Sequence, residues 1–121
     1  MSRLHFVPKG WGYEKWICNN DKYCGKILHF VKDRQCSLHY HKLKDETFYV
    51  RSGLVRISYI GINPEDVSED LSLAQAILSA GDYFHVPPNT AHQILALEDS
   101  EIIEFSTQHF DEDSYRLEKG D

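Results

Sequence analysis

Helical periodicity is scarce in this chain, and short β-rich segments closed by turn residues recur instead, which confines the fold to an all-β sandwich or barrel. Tyr13–Cys18 reads as a strand that ends at Asn19-Asn20-Asp21, and Tyr23–Val31 reads as its partner. Cys36–His41, Glu46–Arg51 and Leu54–Ile60 follow. The Ser52-Gly53 turn marks a hairpin, because glycine supplies the positive φ that such turns require. Gly61–Asp70 is the one long polar loop. Leu71–Leu78 fits either a strand or a short helix and is assigned to strand because Ser79-Ala80-Gly81-Asp82 then closes a β turn. Tyr83–Val86, Ala91–Leu97 and Glu101–Ser106 complete the set. The charged tail from Gln108 is expected to form a short helix or to pack over the barrel.

One stretch carries chemistry as well as structure. His39, His41, Glu46 and Gly53 stand in the pattern H-x-H-x4-E-x6-G, and Gly81-x5-Pro87-x-Asn89-x2-His92 follows downstream. Successive side chains of a strand point to opposite faces, so His39 and His41 share a face and can grip one ion together. Glu46 and His92 would complete a set of three imidazoles and one carboxylate. That set suits one divalent transition metal, Zn, Mn, Fe or Ni, whereas structural zinc sites more often use thiolates. A lone strand histidine is usually solvated or satisfied in a core, and His5, His29, His85 and His109 are read in that way. In a barrel, Ser37, His39 and His41 would face the lumen. So would Glu46, Phe48 and Val50 on an adjacent strand, with Phe48 and Val50 as an apolar floor. Pro87-Pro88-Asn89-Thr90 would then bring His92 in rigidly from the opposite edge.

Both motifs resemble those of the cupin family, which implies a double-stranded β-helix, a jelly-roll barrel, formed as one domain over residues 1–121. The family's first motif usually opens with glycine where this chain has Asp33, and its second carries glycine where this chain has Asn89. Both are turn positions, and Asn tolerates left-handed backbone. Gly10-Trp11-Gly12-Tyr13-Glu14 and Asp113-Ser114-Tyr115-Arg116-Leu117-Glu118 are similar to the opening and closing segments of the cupin domain of type II mannose-6-phosphate isomerases. This resemblance implies a metal-dependent isomerase of a sugar or sugar phosphate. Arg116 is carried over as a substrate or phosphate contact, and Lys44 at the barrel mouth is a second candidate. Gln93 stands where that branch commonly has an arginine after the last ligand, and its terminal Tyr-Gly-Arg is absent. An arginine fork is the natural clamp for phosphate, so a different or unphosphorylated sugar is also open. Two other functions share the donor set, an iron-dependent dioxygenase and a non-catalytic sugar-binding domain. The proton-transfer base is not identified.

Composition bounds the rest. A chain of 121 residues with 41% hydrophobic residues has room for one core. A net charge of −6 argues against nucleic-acid binding, which needs a basic face. No apolar run approaches the ~20 residues of a membrane span, and the N-terminus lacks a secretory pattern, so a cytoplasmic protein is expected. Cys18, Cys24 and Cys36 form no C-x-x-C pair and read as reduced thiols, with packing the expected role of Cys36. Small cupins pair through edge strands and flat barrel faces. Trp11, Tyr13 and Trp16 are read as aromatic surface for such a homodimer.

Overall fold

The structure, a computed structural model, describes residues 3–121. Its strands are β1 (His5–Lys9), β2 (Gly12–Asn19), β3 (Cys24–Phe30), β4 (Leu38–Tyr40), β5 (Glu46–Ser52), β6 (Leu54–Gly61), β7 (Ala74–Ser79), β8 (Tyr83–Val86), β9 (Thr90–Ala96), β10 (Ser100–Ser106) and β11 (Tyr115–Glu118). They form two antiparallel sheets, ordered β1-β2-β3-β10-β5-β8 and β11-β4-β9-β6-β7. The sheets face one another as an all-β jelly roll. Among the described residues no helix is long and apolar enough to cross a membrane.

The alternation of each strand explains how the two sheets hold together. In β3, Cys24, Lys26, Leu28 and Phe30 are buried while the residues between them are half-buried. In β5, Glu46, Phe48 and Val50 are buried. Leu28, Phe30, Phe48, Val50, Val55, Ile57, Ile94 and Ile102 form the main apolar core between the sheets. Burying side chains of this size contributes about 1.5–3 kcal/mol each. A second cluster lies on the outer face of the other sheet, where Leu38, Tyr40 and Ala91 meet Ile62, Val67, Leu71 and Leu73. The segment read as a polar loop is therefore a cover for that sheet, held by its few apolar residues.

Several expectations shift. β1 was not foreseen, because its five residues are mostly exposed and include Pro8. It pairs with β2 as an edge strand, the place where a proline is tolerated. The strand expected over Leu71–Leu78 begins only at Ala74, since Leu71 and Leu73 pack into the second cluster instead. The tail forms a single 3-10 turn at Asp111–Asp113 and then a true strand, β11, paired with β4. Trp11 is buried and stacks on Phe30 at 4.0 Å between centroids, so it provides no surface for the dimer contact expected of it, whereas Tyr13 and Trp16 are half-buried. The turn residues behave as read: Asp33 and Asn89 adopt φ of 67° and 59°, and Gly53 and Gly81 adopt 94° and 93°.

Candidate metal centre and cavity

His39 and His92 sit directly opposite one another across the β4–β9 pair. His92 thus arrives on the neighbouring strand and not from an opposite edge. The residue that crosses the barrel is Glu46, because β5 belongs to the facing sheet rather than lying beside β4. His41 follows β4 by one residue, and its carbonyl accepts from the Asn89 amide at 2.7 Å, which ties the Pro87–Thr90 turn to the histidine strand.

The donor atoms of His39, His41 and His92 lie within 4.8 Å of one another. Glu46 Oε2 stands 3.4 Å from His41 Nε2 and 3.3 Å from His92 Nε2. Each imidazole is fixed through its other nitrogen. His41 Nδ1 donates to the Asp113 carbonyl at 2.8 Å, His92 Nδ1 to the Thr90 carbonyl at 2.9 Å, and His39 Nδ1 to the Ser37 carbonyl at 3.0 Å. Those bonds select the tautomer with the Nε2 lone pair directed inward, the arrangement typical of metal-ligating histidine.

Glu46 Oε2 and His92 Nε2 are buried and make no hydrogen bond, although they face each other. Two acceptors in that position are stable only with a proton or a cation between them. A divalent ion fits the orphaned atoms and the mixed imidazole–carboxylate donors. The electrostatics couple the same two groups. Burial opposes charge on both partners, yet the attraction within the pair outweighs it: Glu46 is held well below the usual carboxylate range, chiefly by His92, and His92 is held above the usual imidazole value by Glu46. His39 is pushed well down by burial and then by the two other imidazoles, and His41 is lowered mainly by burial.

The donor cluster lines a cavity of about 270 Å³. Phe48 is in its wall, with its ring 5.9 Å from that of His92, whereas Val50 belongs to the core below. Arg116 stands beside His39 in register on β11, exposed and at the cavity wall. Lys44, read as a second substrate contact at the barrel mouth, lines the cavity from within its wall. It is buried, with Nζ 2.7 Å from Glu104 Oε2, 3.7 Å from Glu46 Oε1 and 3.2 Å from His109 Nδ1. Burial opposes its charge, but Glu104 and Glu46 outweigh that and raise its pKa. Gln93 faces away from the donors and donates to the Cys36 carbonyl at 2.9 Å, so an arginine here would spring from the outer face of β9. Cys36 lies both in the cavity lining and in the core, and burial pushes its thiol up to about 12.

The cavity also contains residues that sequence reasoning missed: Glu14, Trp16, Lys26, Glu104 and His109. Lys26 and Glu104 are cross-strand partners, and both are buried. Their signal was available, since each occupies an inward position of a strand whose other inward residues are small or apolar. His109, read as solvated or satisfied in a core, packs its ring against Trp16 and hydrogen-bonds Asp111. Asp113 was likewise not singled out as a site residue. Its carboxylate accepts the amides of Lys42, Leu43 and Lys44 at 2.9–3.3 Å, so it shapes the connection between His41 and Glu46.

Fold and site together define a two-sheet jelly roll built around an inward cluster of three imidazoles and a carboxylate. Residues 27–107 match the Cupin domain family, and the chain belongs to it. It is 31% identical over 110 residues to a D-lyxose ketol-isomerase of Thermofilum sp. (strain ex4484_79), an alignment that takes in 78% of this chain and 61% of that protein. In fold it is similar to the capsular polysaccharide assembling protein CapF from Staphylococcus aureus, with TM-score 0.80, 21% identity, and coverage of 98% of this chain and 32% of that one. KdgF from Halomonas sp. is similar at TM-score 0.72 and 22% identity, over 92% of this chain and 90% of that one.

Proposed function

We propose that this chain is a metal-dependent aldose–ketose isomerase of a sugar or sugar phosphate, with His39, His41, Glu46 and His92 holding the ion. The observation that carries this reading is the donor cluster itself, with its orphaned Glu46 Oε2 and His92 Nε2, set in the wall of a polar cavity. The similarity to a D-lyxose ketol-isomerase supplies the reaction class. A divalent ion would polarise neighbouring carbonyl and hydroxyl oxygens of the substrate and so acidify the C–H bond between them.

The remaining roles belong to side chains. The carbonyls of Ser37, Thr90 and Asp113 hold the imidazoles in place, so the donors need little reorganisation. Phe48 and Trp11 give the cavity apolar faces suited to the C–H side of a sugar ring. Arg116, beside His39 at the rim, is positioned for a substrate oxygen or phosphate. The same reading includes a cytoplasmic homodimer. In its finer form the sugar is a hexose phosphate of the kind used by type II mannose-6-phosphate isomerases. In the broader form it is an unphosphorylated pentose.

The test is incubation of metal-loaded protein in heavy water with D-lyxose, D-mannose, mannose 6-phosphate and fructose 6-phosphate. Interconversion with deuterium placed next to the carbonyl, abolished by chelation and restored by a divalent metal, is the expected result. Neither exchange nor interconversion across the panel at full metal loading would overturn the reading. Uptake of O2 by an iron-loaded sample would assign the site to a dioxygenase instead.

A further inference from the structure

Opposite the histidines, the barrel wall carries a row of charge where apolar residues would pack well. Lys26 on β3 and Glu104 on β10 are directly paired, and the next residue in that row is Phe48 on β5. Both charged residues are buried, and their strand neighbours at the same period, Leu28 and Ile102, belong to the apolar core. Buried charges of this sort, even when paired as Glu104 is with Lys44 and Lys26 is with Glu14, seldom stabilise a fold beyond what apolar packing of the same volume achieves. Their presence in a cavity wall therefore points to chemistry.

The carboxylate of Glu104 is held on one side only. Its Oε2 faces the Lys44 ammonium at 2.7 Å and accepts from Ser106 Oγ at 3.1 Å. Its Oε1 makes no hydrogen bond among the described residues, and the residue lines the cavity. The Lys44 ammonium lies between this carboxylate and Glu46, so a single side chain links Glu104 to the donor cluster. Other carboxylates in the cavity are less suited. Both oxygens of Glu46 are turned to the donor cluster and its neighbour, Oε2 toward the imidazoles of His41 and His92 and Oε1 toward Lys44. Glu14 Oε1 accepts from Trp16 Nε1 at 2.8 Å and sits further along the sheet, on β2. Asp111 is 91% exposed, and Asp121 accepts from the Gln35 amide at 2.8 Å and faces Arg34.

Resting on the isomerase reading above, we propose that Glu104 is the catalytic residue that moves the proton between the two reacting carbons, with the Lys44 ammonium at 2.7 Å holding its carboxylate in place. From an aldose, Glu104 takes the proton from C2 as the C2–H bond breaks. That electron pair becomes the C1–C2 double bond, and the carbonyl pair collects on O1, which takes up a proton. Glu104 then returns its proton to C1 while the O2–H proton leaves and the C2 carbonyl forms. The proton lost from O2 balances the one gained by O1, and no oxidant or reductant enters. One carboxyl serving both carbons carries the proton over one face of the intermediate.

Glu104→Gln preserves size and tests the charge. The expected outcome is unchanged metal content by elemental analysis and a sugar affinity by calorimetry close to that of the parent. Interconversion and deuterium exchange should both fall at least ~100-fold, the usual scale of general acid–base catalysis. Because Glu104→Gln leaves two lysines less well compensated, Glu104→Ala provides a second measurement: added formate should restore exchange in proportion to its concentration. Exchange within a few-fold of the parent in metal-loaded Glu104→Gln would overturn the role while leaving the isomerase reading intact. So would loss of metal in Glu104→Gln together with no formate rescue of Glu104→Ala, which would assign Glu104 to positioning Lys44. No exchange in the parent itself would remove both.

Discussion

Asp113 is a point at which stability and the donor geometry are joined, and truncating it tests how the site is held. In Asp113→Ala the amides of Lys42, Leu43 and Lys44 lose their carboxylate acceptor. Lys42 and Leu43 are exposed, so water can replace the lost bonds at about 1 kcal/mol each. The Lys44 amide is buried, and leaving it without a partner costs about 2–3 kcal/mol. The expected loss is therefore about 4 kcal/mol, read by urea denaturation of chelator-treated protein at neutral pH. Asp113→Asn should lose about half as much, because one oxygen still accepts while its amide group opposes the Lys44 amide. The main-chain carbonyl that orients His41 survives both substitutions. Metal affinity should nonetheless fall about 10–100-fold, since the connection between two donors loses its anchor. A loss below about 1 kcal/mol in Asp113→Ala, with unchanged metal affinity, would show that the carboxylate neither holds this connection nor shapes the site.

Metal affinity should rise with pH through the neutral range. His92 in the metal-free protein keeps its proton to a pH above the ordinary histidine value, and an ion must displace that proton, so calorimetry in buffers of different ionisation enthalpy should show proton release on binding. An affinity flat between about pH 6 and 8 would contradict the raised value. Burial raises the Cys36 thiol to about 12 and also raises Cys24, whereas Cys18 is only half-buried. A thiol reagent at mildly alkaline pH should accordingly modify Cys18 first and the other two only after unfolding, and rapid reaction of all three in the native state would refute the packing. Arg116→Ala should raise KM for a phosphorylated sugar about 10-fold or more while leaving kcat and metal content near those of the parent, because the side chain stands at the rim beside His39. A fall in kcat alone would place Arg116 in the chemistry.

What the sequence disclosed followed from local rules. The spacing of His39 and His41 is a period-two statement, and the strand delivers it. The turn at Asn89 is a statement about left-handed backbone, and its φ of 59° agrees. What the sequence did not disclose depends on pairing between distant segments. No local pattern says that β9 lies beside β4 while β5 faces them, yet this decides that Glu46, and not His92, spans the barrel. The same gap hid the burial of Lys44, because its partner Glu104 lies on a strand that only the fold brings near. β1 was lost for a different reason: an exposed edge strand with a proline has no apolar face to announce it. Trp11 was assigned to a surface because aromatic content alone cannot distinguish a contact patch from a ring stacked on Phe30.

The central claim is that three histidines and one glutamate hold an ion, and elemental analysis of parent and Glu46→Gln protein, loaded with a divalent metal and desalted, tests it most directly. The account predicts close to one ion per chain in the parent, and an ion in the variant only at a small fraction of that, because the carboxylate supplies both a donor and the charge that draws the cation in. A parent that retains no transition metal after loading would contradict it.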